Sequence, residues 1–478
     1  MNNQSQVRRQ ALVTAILVGS AFLAGVDLFI VNVAFDEIGH DFAAAAHPPT
    51  LSQLSWILNA YAVIFAALLV PMGRLTDRYG RKAGFVLGIA VFTAASAACA
   101  LSGNVWELVA FRGLQAVGAA AMTPASLGLL LAALPPERKA PAARLWATTG
   151  ALAAAFGPAV GGGLVQLSWH WAFWINVPIG LALIAGAIRY VPDVRHNVGA
   201  PRPDLTGALV LAVAVGALVL GLVQGPSWGC TAGVLGSFAV AAIGLATFAW
   251  QTAHHPSPVV DPALLRVRAF AWANGATLVF NTGFGISLLA GILWMQQVWD
   301  YSALRTGFAV AAGPLFVPVT SILSQRLFPR ARPSLLVTVG ALVAAAGATL
   351  MAVRLDEQPS YWTTFFPGWA VVGIAVGLVM PNLIAAATST LPPAQASTGG
   401  GVISMSRQLG LVLGVSILVS MLGGSGPASG TFTAAWLVVA AASVLAAASA
   451  YAMEASRRRP VAEAEPAPFA PASTRETG

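Results

Sequence analysis

The chain is poor in charge. Only 9% of its 478 residues are Asp, Glu, Lys or Arg, against roughly 25% in a soluble domain. That is too little to coat several domains with water-facing surface, which excludes a soluble enzyme, a nucleic-acid-binding domain and a disordered protein. Cysteine is scarce as well: Cys99 and Cys230 are the whole supply. Two thiols make no disulfide framework, and both are expected as packed side chains in or beside apolar stretches. The six histidines (His40, His47, His170, His196, His254, His255) fall outside the cores of the apolar runs, with no HExxH or CxxC spacing, so no metal site is expected. There is no G-x-x-x-x-G-K-[S/T] segment, which removes ATP as the driver. No nucleophile, base and acid fall at a common depth, so the chain is not expected to be an enzyme.

What it has in abundance is apolar length. Hydrophobic residues make up 57%, and the mean hydropathy is +0.76. A membrane-crossing helix needs about 20 mainly apolar residues, so a span with a short loop takes about 34 and the chain holds about 14. Apolar runs recur at 11–35, 51–72, 83–102, 106–132, 142–166, 171–191, 205–225, 229–250, 270–297, 303–325, 334–353, 362–388, 398–421 and 432–453. Only helices satisfy their backbone polar groups within such single segments, so an all-α integral membrane protein is expected. Arg8 and Arg9 before the first run suggest a signal peptide, but the run from Ala11 to Phe35 is too long for one, and no cleavage is expected.

The net charge of +8 comes from basic loops, not from a nucleic-acid surface. Segments within 8–9, 74–82, 138–144, 189–202, 266–268, 326–332 and 457–475 hold 21 of the 25 Lys and Arg residues. All seven fall on one side if the span count is even. Basic loops face the cytoplasm, so both termini are expected inside the cell membrane. The longest charge-bearing connections flank the seventh and eighth spans, giving a 6 + 2 + 6 plan. An N-terminal six-helix bundle covers 1–191, an inserted pair 192–269 and a C-terminal bundle 270–453, with a disordered cytoplasmic tail at 454–478 that is rich in Pro, Ala and Glu.

Four stretches carry the functional information. The first span holds Asp27, the one carboxylate clearly inside a span, followed by Asn32. An ionised Asp in the membrane is costly and must be protonated, paired or in a wet cavity. After the second span comes Gly73-Arg74-Leu75-Thr76-Asp77-Arg78-Tyr79-Gly80-Arg81-Lys82, a loop with glycines for a tight turn and five charges. The fourth span carries Arg112 and Gln115, an expensive pair to bury without purpose. The fifth holds Gly157-Pro158-Ala159-Val160-Gly161-Gly162-Gly163, able to kink and to let a neighbouring helix approach.

The loop resembles the signature G-x-L-a-D-r-x-G-r-k of the major facilitator superfamily, through Gly73, Leu75, Asp77, Arg78, Gly80, Arg81 and Lys82. The stretch at 27–34 resembles the L-D-x-T-I-V-N-V-A-L-P signature of its fourteen-helix drug:proton antiporter branch, with Phe29 in place of Thr and Asp36 in place of Pro. Arg112-Gly113-Leu114-Gln115 resembles the R-x-x-Q-G motif, and Gly157, Pro158, Gly161 and Gly162 the antiporter motif of exporters. Met380-Pro381-Asn382, Gly399-Gly400-Gly401, Arg407-Gln408-Leu409-Gly410 and Trp299–Gly307 resemble the branch's later helices.

The resemblance implies a major facilitator fold of two rocking halves. It implies proton coupling at Asp27 and Arg112, and a conformational latch formed by Gly73, Asp77, Arg78, Gly80 and Arg81. The expected activity is export of amphipathic or cationic drugs in exchange for protons by alternating access, driven by the proton gradient with no cofactor. The alternative is a carrier for a specific metabolite, natural product, lipid or siderophore, exported rather than imported. With a single deep acid, exchange of a monocation for one proton would be near-electroneutral. The expected partners are a small-molecule substrate, protons and the bilayer, with no nucleic acid and a monomeric chain. Candidates for the substrate pathway are Asn32, Asn59, Tyr61, Gln115, Asn274, Asn281, Trp294, Gln297 and Asn382.

Overall fold

The structure, a computed structural model, describes residues 3–43, 49–193, 202–389, 391, 396–425 and 428–458. Among these, helix dominates and no strand occurs. Fourteen helices are long and apolar enough to cross a membrane. They are α1 (Arg8–Ala43), α2 (Leu51–Tyr79), α3 (Arg81–Ala100), α4 (Val105–Ala133), α5 (Pro136–Val165), α6 (Trp171–Tyr190) and α7 (Leu205–Trp228). The chain continues with α8 (Ala232–His254), α9 (Arg268–Val298), α10 (Ala303–Leu327), α11 (Pro333–Arg354), α12 (Tyr361–Thr388), α13 (Thr398–Gly423) and α14 (Ser429–Ser456). All fourteen expected spans are present. Most of the expected tail, 459–478, lies outside the described residues, as does 194–201 of the first long connection.

Several helices outrun their apolar runs. α1 extends to Ala43 and α2 to Tyr79. Hydropathy marks only the part of a helix that needs lipid, whereas Arg, Lys and Glu are good helix formers that carry the backbone on into water. The ten residues read as a loop after the second span are therefore helical on both sides. Gly80 alone joins α2 to α3, at φ +120° and ψ 119°, a conformation that glycine adopts readily.

The helices pack in a pattern that occurs twice. In the first half α1 lies on α5, α2 on α4, and α3 on α4 and α6. In the second α9 lies on α13, α10 on α12, and α11 on α12 and α14. The halves meet along two seams, α2 against α13 and α5 against α10. The N-terminus of α1 and the basic junctions share one end of the bundle, here the basic end; the opposite end is the far end.

The inserted pair sits outside this scheme. α7 packs on both α2 and α13, covering the outside of that seam, and Ser52 donates to the Val223 carbonyl at 3.1 Å. α8 packs on α7 and is the least buried span. Cys99 is buried, but Cys230, at the tip between α7 and α8, is exposed; the expectation of two packed thiols fails there because a tip meets no neighbour.

At the basic end, Asp204 caps α7 by accepting from the Gly207 amide at 2.7 Å. It also accepts from the Gln251 amide of α8 at 2.7 Å, and the residue is 2% exposed. Arg74 at the end of α2 donates to Ser257 and to the Pro258 carbonyl beyond α8. Asp204→Ala is expected to lose the cap and the α7–α8 link. A lost N-cap costs about 1–2 kcal/mol, read as a lower melting temperature in detergent. An unchanged melting temperature would show that this end contributes nothing to holding the pair.

Candidate functional site

Asp27 lies midway along α1, fully buried. Its Oδ2 accepts from Arg112 Nη1 of α4 at 2.6 Å. Its Oδ1 accepts from Gln115 Nε2 at 2.8 Å and from Asn176 Nδ2 of α6 at 2.8 Å. Arg112 Nη1 is shared with Gln115 Oε1 at 2.6 Å, and Arg112 Nε donates to the Ile57 carbonyl of α2 at 3.3 Å. Ser96 of α3 closes the ring, accepting from Gln115 at 2.5 Å and from Asn176 at 2.9 Å. The guanidinium carbon stands 4.1 Å from the Tyr61 ring centre. Five helices of the first half therefore converge on one carboxylate.

Why the sequence builds this is plain at α4. Arg112 and Gln115 are three residues apart and so share a helix face, and both are buried. Leaving either partner of a buried ion pair alone is strongly destabilising, whereas a paired and hydrogen-bonded one is tolerated. Three donors on the two carboxylate oxygens satisfy the charge. Arg112 Nη2 and Asn176 Oδ1 are buried without a partner. Such groups are costly, and they mark where a water molecule or a rearranged carboxyl would be accepted. Chemically, a proton arriving on Asp27 would remove the negative charge and leave the cation held by the Tyr61 ring face, Gln115 and Ile57. Protonation there would bear on contacts that join all five helices.

Asp27, Arg112, Gln115 and Tyr61 are brought together as candidates; Asn176 and Ser96 were not foreseen. Asn176 carried a usable signal: a lone amide near the start of an apolar span is expensive and so worth flagging. Asn59, also on α2, is 1% exposed, and both its amide atoms are buried without partners.

The remaining pathway candidates divide by what their amides do. Asn32, Asn274, Asn281 and Asn382 each donate to the carbonyl four residues back, those of Leu28, Phe270, Thr277 and Leu378. That satisfies part of the amide locally; Asn274 in addition accepts from Ser406 of α13 at 2.9 Å. Trp294 and Gln297 lie at the far end of α9, in a π-helical turn. Trp294 is sealed, its ring 5.2 Å from that of Phe432 and 6.4 Å from that of Trp299. Gln297 donates across the halves to Asp36 of α1 at 3.3 Å, and Gln296 to the Val33 carbonyl at 3.1 Å. These two glutamines tie the far end of α9 to α1 in this conformation.

Close packing between helices also uses the glycines of α5. A β-carbon at Gly157 would stand 2.8 Å from Phe29 Cβ, and one at Gly161 2.6 Å from Ile30 Cγ1, both on α1. One at Gly162 would collide with the Ala303 carbonyl and stand 2.8 Å from Leu304 Cα, both on α10. Reciprocally, a β-carbon at Gly307 of α10 would collide with the Pro158 carbonyl. The motif therefore binds α5 to α1 on one side and to the other half on the next. Towards the basic end the α10 surface opens: only Ser324 is buried among residues 315–327.

At the α2–α3 junction, Asp77 accepts from Arg81 Nε at 2.5 Å, and Arg81 Nη1 donates to the Gly128 carbonyl of α4 at 3.3 Å. Gly73 packs on Pro124 of α4, where a β-carbon would stand 3.3 Å from its Cβ. Arg78 lies beside Tyr79, its guanidinium carbon 5.5 Å from the ring centre. This Asp77–Arg81 pair stays within the first half.

Comparison with known proteins agrees with this architecture. The family model of the Major Facilitator Superfamily matches residues 17–415 and, in a second overlapping match, 275–476. A methylenomycin A resistance protein of Streptomyces coelicolor is 32% identical over 410 residues, covering 85% of this chain and 84% of the relative. Multidrug resistance protein Stp of Mycobacterium tuberculosis is 30% identical over 421 residues, covering 87% and 76%. Among solved structures, an auto-inhibited POT-family peptide transporter superposes with a TM-score of 0.69 at 17% identity, covering 95% of this chain and 99% of that one. At that identity the likeness speaks for the fold alone.

Proposed function

Because the chain belongs to the Major Facilitator Superfamily, we propose that it is a secondary exporter that moves amphipathic drugs or related small molecules out of the cell in exchange for protons, by alternating access. The basic end is the cytoplasmic one, following the excess of Arg and Lys there. The chain sits in the cell membrane with both termini inside and works as a monomer. Relatives named for methylenomycin A resistance, multidrug resistance, and tetracenomycin C resistance and export support export rather than uptake.

The observation that carries the coupling is the Asp27–Arg112 pair with its ring of Gln115, Asn176 and Ser96. With the far end open, a proton from outside neutralises Asp27 and frees Arg112 from the ion pair. The loosened contacts among α1, α4 and α6 let the half reorient. With the basic end open, the proton leaves and the ion pair reforms. Cargo bound between the halves travels the other way. The α5–α10 seam, glycine on backbone, serves as the far-end gate. Asp77, Arg78 and Arg81, with Gly73 and Gly80, serve as the latch at the basic end, closed when the far end is open.

The test is transport in proteoliposomes under an imposed pH gradient, with ethidium as a permanent cation and 1-anilinonaphthalene-8-sulfonate as a permanent anion. Uphill movement of a probe that stops when the gradient is collapsed supports the reading. Failure of both probes to move, or movement indifferent to the gradient, rejects it.

A further inference from the structure

Two arginines lie deep within spans. Arg112 is paired; Arg407 is not. Among the described residues no hydrogen bond or ion pair holds the Arg407 guanidinium, and its Nε is buried without a partner. An unpaired cation at mid-span is among the costliest arrangements a membrane protein can hold, and it persists where the cation faces a wet cavity or a ligand.

The neighbours of α13 fix which way Arg407 points. At the depth of Arg407, Ser406 and Gly410 lie against α9, through Asn274 and Asn281; further towards the far end α9 crosses onto the Arg407 side, where Gly414 meets Thr282. Gly401 lies against Val70 of α2, and Gly423 towards Pro226 of α7 on the outside of the seam. At about 100° per residue, Arg407 falls on the remaining face, together with Gly400, Ser404 and Leu411. All four are partly exposed, and a β-carbon at Gly400 would meet nothing within 4 Å. Nearer the far end, Leu418 on the same face is fully buried. The face is thus open towards the basic end and sealed beyond. It runs along the inner side of a seam whose outer side α7 covers, and Arg407 sits on it about 13 Å in from Thr398, taking nine residues at 1.5 Å.

Among the described residues, the charges deep within spans are then Asp27, Arg112 and Arg407, one negative and two positive. Asp27 is taken up by Arg112. A cation entering beside Arg407 meets uncompensated like charge, whereas an oxyanion meets a planar fork of donors suited to it. We propose that Arg407 is the substrate anchor of the second half, and that the cargo is an amphipathic molecule bearing an oxyanion, such as a carboxylate or sulfonate, rather than a cation. This rests on the export reading above and narrows it. Export of a monoanion against one entering proton moves two positive charges inward, so such exchange responds to membrane potential as well as to the pH gradient, unlike near-electroneutral monocation exchange.

The experiment compares wild type, Arg407→Gln and Arg407→Lys in phosphatidylcholine vesicles with and without phosphatidylglycerol. The probes are 1-anilinonaphthalene-8-sulfonate and ethidium, under an imposed pH gradient and then with an inside-negative potential added. Wild type is expected to move the sulfonate, faster when the potential is added. Arg407→Gln is expected to raise the sulfonate KM by about 10- to 100-fold, the range for a lost charge-assisted hydrogen bond, while ethidium movement holds or improves. Arg407→Lys is expected to recover part of the sulfonate transport, which shows a folded protein. Equal loss of both probes in Arg407→Gln would make the residue structural and overturn the proposal. Competition by phosphatidylglycerol would hand the site to lipid headgroups and overturn it too. Wild type that moves ethidium but no sulfonate overturns this proposal alone; wild type that moves neither rejects the exporter reading with it.

Discussion

Asp27→Asn is expected to abolish uphill transport while leaving downhill exchange of the same probe largely intact. Asn is close in shape to a protonated Asp, so the variant holds the site in its proton-loaded form. Removal of a proton-transfer group typically costs about 100-fold or more in rate, and a loss on that scale is expected for gradient-driven export. Counterflow, which needs binding and reorientation but no net proton movement, is expected to stay within about tenfold of wild type, a change in barrier of about 1.4 kcal/mol. Stability must be followed alongside, because breaking a buried ion pair costs about 3–5 kcal/mol when the partner charge is stranded. Arg112 is that partner, at 2.6 Å from Asp27 and fully buried. The double variant Asp27→Asn/Arg112→Gln removes both charges, so it is expected to regain melting temperature but not coupling. A double variant that regained uphill transport would make the pair a structural feature of α1 and α4.

The second large effect is expected at Gly162. Valine there would push into the Ala303 carbonyl and Leu304 Cα of α10, backbone atoms that cannot rotate away as a side chain would. Overpacking of this kind costs about 1–3 kcal/mol. Here the cost falls only on the conformation with the far end closed, so the equilibrium moves by roughly 5- to 150-fold towards the open one. Cross-linking reads it directly. Asp36 and Gln297 bridge the halves at the far end, so Asp36→Cys/Gln297→Cys, in a background with Cys230→Ser, is expected to cross-link readily. Adding Gly162→Val should suppress the cross-link and slow transport. Gly150→Ala is the control: it lies on the same helix, with nothing within 4 Å of the added methyl. Undiminished cross-linking in Gly162→Val would remove the α5–α10 seam from the gate.

How far the sequence reaches depends on what each feature is made of. The fourteen spans were legible because lipid demands about 20 apolar residues in a row, and that demand is local. Asp27 and Arg112 were legible for the same reason in reverse, as charges where charge is expensive. The meeting of Asp27 with Asn176 and Ser96 was not, because it joins residues 149 and 80 positions apart in the ring of hydrogen bonds, and nothing in spacing reports which spans are neighbours. Glycines 157, 161 and 162 announced close packing, but not that 157 and 161 face α1 while 162 faces α10; that division depends on where the second half stands. Trp294 and Gln297 read as pathway residues because their span was taken to stay in the membrane. α9 ends in a π-turn, where Gln297 reaches Asp36 of α1 while Trp294 packs on Trp299 and Phe432 of its own half. The junction at Gly80 read as a loop because it is charged and rich in glycine, yet charged residues continue a helix as well as apolar ones do.

The account rests on the carboxyl of Asp27 giving up and taking back a proton once per transported molecule. The most direct measurement is the proton itself. Purified protein is reconstituted in vesicles with pyranine trapped inside. A probe, ethidium or 1-anilinonaphthalene-8-sulfonate, is then placed on one side with no initial pH difference. In wild type, probe movement is expected to drive protons the opposite way at a fixed ratio, and in Asp27→Asn to drive none. Probe movement without a proton signal in wild type, or an undiminished proton signal in Asp27→Asn, would contradict the account.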